Sequence, residues 1–325
     1  MDANFIERLK DLLRDPNGDV KLEELIAEAT ASVVAQLTEG TFPSSVGQIS
    51  RTEFTRLWIE QAREYDLAVA GLLTPARLIG SYGLAFQQQA WKRFMRPFSR
   101  WAGWVDGTPA LTTLRGYPAL RLLYCTALAS VQRDNFAPLV GIAVLQRLKQ
   151  RPGLGASFEP LLVSLDARSV VEMEALGSAL AIADDGTELT DDQIESFYQG
   201  AGRRTPMSDH LFVTLRAEFA SEFDYEEEWE ALFDRTEVLL DALAIDAQSQ
   251  DDSRRYFNIG GYGRYTWRYR HSDSPIEKGL LAEIEREGER WPPVAAGLFG
   301  GQVERATKAL TTLGETATGL RHRSR

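Results

Sequence analysis

Two strongly apolar segments lie close together near the middle of the chain. Residues 119–131 follow one proline and residues 139–148 follow another. Both segments are apolar on almost every side, which is typical of a buried helix. Since only residues 132–137 separate them, the two helices must lie antiparallel. The sequence therefore predicts an all-α protein built around this pair.

Helical patterns also fill the rest of the N-terminal half. Over residues 5–37, apolar side chains recur at helical spacing in two blocks, which predicts a helical hairpin. Ser50 and Glu53 have the spacing of a capping box and predict the start of a long helix. We expect the next helix to start at Pro75, because proline is tolerated at the first helical position, and to end near Pro97.

The C-terminal half repeats this pattern with one interruption. Thr190 and Gln193 form a second capping box, Ser208 is a candidate N-cap, and residues 225–247 predict a long helix. Helical periodicity is lost over residues 256–270, where aromatic residues flank a glycine-rich stretch. Such a pattern predicts a short β-hairpin or an ordered loop.

The order of these elements indicates the architecture. Successive helical hairpins without alternating strands predict an array of antiparallel hairpins, either solenoid-like or irregular, although no fixed-period repeat is present. Residues 152–155, Pro-Gly-Leu-Gly, are the best candidate for a boundary. They would separate an N-terminal helical half, residues 1–151, from a C-terminal helical half, residues 156–325. The two halves form either two units or one continuous domain.

Charge and residue counts argue against several classes of protein. The formal net charge of -11 opposes the approach of nucleic acid or of an anionic membrane. One cysteine cannot form an internal disulfide, and three scattered histidines do not supply a usual structural zinc site. No apolar run is long enough to span a bilayer, and the first residues lack the pattern of a secretion signal. We therefore expect a cytoplasmic protein without a metal or a cofactor.

No familiar catalytic motif emerges from the remaining residues. Ser208-Asp209-His210 contains the residue types of a hydrolytic triad. However, the side chains of adjacent residues in the first turn of a helix point in different directions. We expect His210 to lie at the surface or half-buried. Cys125 lies in the most apolar helix and is expected to be a small core residue.

Two clusters that mix arginine with aromatic residues are the best candidates for a binding site. Arginine can bind phosphate or carboxylate in a forked geometry, while aromatic rings stack on bases or pack at protein interfaces. The C-terminal cluster consists of Arg254, Arg255, Arg264, Tyr265, Trp267, Arg268 and Arg270. The N-terminal cluster consists of Trp91, Arg93, Arg96, Arg100, Trp101 and Trp104. In the alternative interpretation, the aromatic rings belong to the core and the arginines pair with this chain's excess of acids.

Four short motifs in the C-terminal part carry a resemblance. They lie at residues 203–211, 233–240, 262–268 and 297–301. This part of the chain, residues 200–320, resembles helical regions that follow effector domains in bacterial defence-type proteins of sirtuin-like and STAND-type architecture. The resemblance implies a sensor, regulatory or scaffold component whose enzymatic partner is an effector subunit or a further domain. It brings no catalytic residues with it.

Three functional hypotheses follow. The first is a non-enzymatic helical component of a bacterial antiphage or stress defence system, which acts by binding a protein or a ligand. The second is a metal-dependent nuclease or hydrolase that uses acidic pairs at residues 184–185, 191–192 or 251–252. The third is nucleic-acid or nucleotide binding through the C-terminal cluster, which the net charge disfavours.

Overall fold

The fold is all-α, which confirms the predicted fold class. The computed structural model describes residues 3–39, 42–149, 158–183, 186–201, 205–250, 263–269, 272 and 274–323. The first helices are α1 (Ala3–Arg14), α2 (Asp19–Glu39), α3 (Arg51–Tyr82), α4 (Gln88–Trp101), α5 (Pro109–Leu114), α6 (Tyr117–Gln132) and α7 (Ala137–Leu139). The later helices are α8 (Leu161–Ser164), α9 (Glu174–Ala183), α10 (Asp191–Ser196), α11 (Pro206–Phe219), α12 (Glu226–Ser249), α13 (Tyr265–Arg268), α14 (Ile276–Glu287), α15 (Pro292–Ala295) and α16 (Val303–Arg323).

Helix α6 forms the centre of the molecule, as its apolar sequence predicts. All of its side chains from Tyr117 to Val131 are buried. It packs along α3, where Gly80 allows a close approach, because a Cβ atom at this position would overlap the carbonyl oxygen of Thr126. Helix α12 packs against another side of α6. The three helices form the frame on which the other elements are placed.

The second apolar segment is not the single helix that the sequence predicts. After α7, residues 140–144 form a π-helical turn, and the side chain of Gln146 then donates hydrogen bonds to the carbonyl oxygens of Gly141 and Lys92. The chain continues as strand β1 (Arg147–Lys149), which pairs antiparallel with β2 (Phe158–Pro160), Leu148 lying opposite Glu159. A short apolar run suits a buried helix and a buried strand equally, so periodicity alone could not separate them.

Among the described residues, the short strand pair lies at residues 147–160. Within the region where we predict a β-hairpin or an ordered loop, residues 256–262 and 270 lie outside the described residues, and Tyr265–Arg268 form the helical turn α13. The turn brings Arg264 and Arg268 to the same side, since residues four apart share a helix face. Acidic partners on α12, described below, hold them there.

Two prolines lie inside helices that we expected them to delimit. Helix α3 continues through Pro75, and α4 continues through Pro97. A proline interrupts one backbone hydrogen bond of a helix. Here packing keeps α3 continuous, because Pro75 is buried between residues that contact α6.

The N-cap of α11 is Thr205 and not Ser208, with Pro206 at the first helical position. Ser208 is a buried residue of the first turn.

Elements from both predicted halves contribute to one hydrophobic cluster. Helix α9 contacts α3, and α12 contacts α6, so these contacts join residues before and after the predicted boundary. The boundary itself, residues 152–155, lies outside the described residues. In the described part of the chain, none of the helices is long and apolar enough to cross a membrane.

Candidate functional site

The two described arginines of the C-terminal cluster, Arg264 and Arg268, form ion pairs with acids of α12. Arg268 forms ion pairs with Glu230 and with Asp234, its Nε lying 3.0 Å from Asp234 Oδ2. Arg264 lies 3.5 Å from Glu230 and 3.8 Å from Asp234, and its guanidinium group stacks 3.5 Å from the ring centroid of Phe212. Both positive charges are thus compensated within the fold.

The aromatic members of this cluster have different surroundings. Tyr265 is fully buried and donates a hydrogen bond of 2.7 Å to Asp241. Trp267 is half-buried and lines a cavity. Arg254, Arg255 and Arg270 lie outside the described residues. The structure therefore brings Arg264, Tyr265 and Arg268 together against α12, with Tyr265 buried, Arg264 half-buried and Arg268 exposed.

Helix α12 carries a line of acids that sequence reasoning missed. Glu230, Asp234, Glu237 and Asp241 share one face of the helix, and the last three are buried. Glu237 accepts hydrogen bonds from Ser208 at 2.6 Å and from Tyr124 at 3.1 Å. The spacing of these acids was visible in the sequence, but acids at helical spacing usually mark a solvated face.

Burial controls the protonation of these acids. It raises the pKa of Glu237 to about 8, and it raises the pKa of Asp241 well above its usual value. Burial also raises the pKa of Asp234 to about 6, against the attraction of Arg268 and Arg264. Glu237 is therefore largely a neutral acid at neutral pH, which reduces the cost of keeping it in the interior.

A second buried polar network surrounds His210 and corrects the expectation that this residue is at the surface or half-buried. His210 is 1% exposed, and its Nε2 lies 2.6 Å from the hydroxyl group of Tyr117. Tyr117 also donates to Asp66 at 2.5 Å, and Arg121 forms an ion pair with the same carboxylate. Ser208 and His210 thus belong to separate networks and do not form a dyad.

The other residues considered for chemistry are placed as follows. Cys125 is buried, as predicted, and burial raises the pKa of its thiol. Asp191 pairs with Arg56, while Asp192 is exposed. The acids at residues 184–185 and 251–252 lie outside the described residues. In the part of the chain that the structure describes, no group of three or more His, Cys, Asp or Glu residues could hold a metal ion.

The N-terminal cluster is divided between the core and a surface groove. Trp91 is fully buried, and its Nε1 donates to the carbonyl oxygen of Leu84. Trp104 is half-buried and does not line the groove. The remaining four members, Arg93, Arg96, Arg100 and Trp101, line one cavity between α2 and α4.

This cavity, the α2–α4 groove, has a volume of about 710 Å³ and an apolar floor. Its lining consists of Ala27, Thr30, Ala31, Val34, Arg93, Arg96, Pro97, Arg100 and Trp101. The sequence of α4 explains the arrangement, because Trp91, Phe94, Met95 and Phe98 turn into the core and leave the arginines on the opposite face.

The three arginines of the groove differ in their partners. Arg93 forms an ion pair with Glu23 on α2, with 2.9 Å between Nε and Oε2. Arg96 and Arg100 are exposed, and their side chains have no hydrogen-bonding or ionic partner among the residues that the structure describes. At one end Trp101 is held in place, since Arg115 stacks 4.2 Å from its ring and donates to its carbonyl oxygen. The groove therefore offers two available guanidinium groups beside an apolar surface.

Comparisons with protein-family models, with curated proteins and with solved structures gave no match to this chain.

Proposed function

We propose that this chain is a non-enzymatic interaction module that binds an acidic segment of a partner protein in the α2–α4 groove. One observation carries the proposal: Arg96 and Arg100 line an apolar groove without acidic partners among the described residues, in a chain with 47 acids and 36 bases. Several other arginines of this chain meet its acids, as Arg235 meets Glu283 and Arg305 meets Asp246. Two arginines left available beside an apolar floor are suited to an external anion.

The shape and chemistry of the groove favour an amphipathic helix as the occupant. The small apolar side chains of Ala27, Ala31 and Val34 give α2 an apolar surface with little relief. The apolar face of a helix can lie on this surface. Arg96 and Arg100 lie one turn apart, so two carboxylates one turn apart on the incoming helix can meet both. Tryptophan and arginine are also enriched among the residues that dominate binding energy at protein interfaces.

The resemblance of residues 200–320 adds a biological setting to this proposal. In that setting the chain is a sensor, regulatory or scaffold component of a bacterial defence system, and its partner is the effector subunit or domain. The net charge of -11 favours a protein partner over a nucleic acid, because long-range repulsion opposes a polyanion.

Site-specific cross-linking tests the proposal. Ala35, one turn beyond Ala31 on α2, is exposed and can be replaced by cysteine to carry a photo-cross-linker, whereas the native Cys125 is buried and protected from labelling. In a lysate of the cells that encode the protein, we expect a discrete protein adduct that disappears when Arg96→Ala and Arg100→Ala are added.

The matched control carries the same label at Ala217→Cys on the exposed side of α11. The double substitution Arg290→Ala and Lys308→Ala controls for the loss of two exposed positive charges. Identical adducts from both label positions, or an adduct that survives the removal of Arg96 and Arg100, would contradict the proposal.

A further inference from the structure

A second cavity, the α11–α13 cavity, lies apart from the α2–α4 groove and has a volume of about 630 Å³. It is bordered by residues 167–174, by the start of α11, by α13 and by the end of α16. Its lining consists of Ala167, Arg168, Val171, Glu172, Met173, Glu174, Thr205, Pro206, Met207, Ser208, Thr266, Trp267 and Leu320. A cavity of this size can hold a small organic molecule.

The inner wall of this cavity is polar and fixed. Ser208 is 1% exposed; its Oγ donates to Glu237 and accepts a hydrogen bond of 3.0 Å from the backbone N–H of Arg264. Thr266 is 2% exposed and donates to the carbonyl oxygen of Gly263. The hydroxyl group of Ser208 thus separates the cavity from the buried carboxyl group of Glu237.

The charges around the cavity favour a cation. Glu172 and Glu174 are exposed at its rim and carry two negative charges, whereas among the described lining residues Arg168, which already has a partner, carries the one positive charge. A cation in the cavity would reduce this excess of negative charge.

The remaining walls are apolar and polarisable. Met173 and Met207 contribute thioether side chains, and Trp267 contributes an indole ring. Methionine adapts to ligands of irregular shape, and an indole face attracts a cation. Val171 and Pro206 complete an apolar surface that can cover the body of a ligand.

We propose that the α11–α13 cavity binds a small organic ammonium ion with an aromatic or aliphatic body. The ammonium group lies between the rim carboxylates and the Ser208 hydroxyl group, and the body of the ligand packs on Met173, Met207 and Trp267. This site is independent of the α2–α4 groove, so the failure of either proposal leaves the other standing.

Calorimetric titration with phenethylammonium, 2-phenylethanol and 3-phenylpropionate tests the charge preference, because the three probes share one aromatic body. We expect phenethylammonium to bind about tenfold more tightly than the neutral alcohol, and the carboxylate to bind most weakly. The double substitution Glu172→Gln and Glu174→Gln should weaken ammonium binding about fivefold, whereas Glu188→Gln with Asp192→Asn, which removes two exposed acids elsewhere, should leave it unchanged.

Methyl-labelled methionine locates the ligand, since the chain has four methionines. We expect phenethylammonium to shift the resonances of Met173 and Met207, which line the cavity, and not that of Met95, which is buried in α4. Equal binding of all three probes, no binding at about 10 mM, or a shift of Met95 without Met173 and Met207 would overturn the proposal.

Discussion

Glu237 on α12 and Ser208 on α11 form a buried hydrogen bond of 2.6 Å, in which the serine hydroxyl group is the donor. The backbone of Gly263 passes so close to the same carboxyl group that a Cβ atom at this position would overlap it. The bond therefore lies where α11, α12 and the segment that leads into α13 meet. Burial raises the pKa of Glu237 to about 8, so the protonation of its carboxyl group changes near this pH. The strength of the hydrogen bond depends on this protonation.

The first prediction concerns Glu237→Gln and the dependence of stability on pH. A carboxyl group whose pKa is raised by folding holds its proton more tightly in the folded state. Its contribution is therefore present below the unfolded pKa of 4.5 and is lost as the pH rises through about 8. Glutamine cannot lose this proton, so the variant should gain stability relative to the unmodified protein by up to about 1.4 kcal/mol per pH unit over this range.

Urea denaturation at a series of pH values between those limits measures this difference. Asp241 titrates in both proteins, and burial together with the charge of Glu237 raises its pKa, so the difference between the two proteins includes this interaction with Glu237. The exposed Glu188→Gln serves as the control and should follow the unmodified protein at every pH. Parallel stability curves for Glu237→Gln and the unmodified protein would show that Glu237 is not a neutral acid in the fold.

The second prediction compares two glycines in helices. A Cβ atom at Gly80 would overlap the carbonyl oxygen of Thr126 and lie 2.8 Å from the Cβ of Ala129, so Gly80→Ala must separate α3 from α6. We expect a loss of about 1–3 kcal/mol in the free energy of unfolding. Gly279→Ala, on the exposed face of α14 with nothing within 4 Å, should instead add about 0.5–1 kcal/mol. Thermal and urea unfolding of the two variants check the opposite signs, and a Gly80→Ala protein of full stability would refute the close packing of the central pair.

The third prediction concerns the network around His210. Tyr117→Phe removes the hydroxyl group that lies between Asp66 and His210 and leaves their polar atoms without this partner. We expect a loss of about 1–3 kcal/mol, measured by urea denaturation. Tyr225→Phe is the matched control, because Tyr225 is 66% exposed, and it should change stability by less than about 0.5 kcal/mol. An equal effect of the two substitutions would mean that the network contributes nothing specific.

Local patterns predicted the parts of this fold that depend on neighbours in sequence. The capping boxes of Ser50 with Glu53 and of Thr190 with Gln193 start α3 and α10, as expected. The continuous apolar sequence of α6 was enough to place this helix in the core. Each of these features is decided within one or two helical turns.

Partners that are distant in sequence decide the rest, and no periodicity contains them. Arg264 and Arg268 meet acids of the earlier helix α12, so composition alone could not decide between a binding surface and the alternative in which these arginines pair with acids of the chain. Among the N-terminal residues, Trp91 and Arg96 belong to one cluster by composition but lie on opposite faces of α4. The orientation of a helix relative to its neighbours separates a core residue from a binding residue.

A charge-swap titration tests the proposed function of the α2–α4 groove most directly. Two labelled amphipathic peptides of equal length, one with glutamates and one with lysines beside the apolar face, are titrated onto the unmodified protein and onto Arg96→Glu with Arg100→Glu. We expect the unmodified protein to bind the glutamate peptide about tenfold more tightly than the lysine peptide, and the variant to reverse this preference. No preference in the unmodified protein, or a preference that the variant retains, would contradict the assignment of the groove as the binding site.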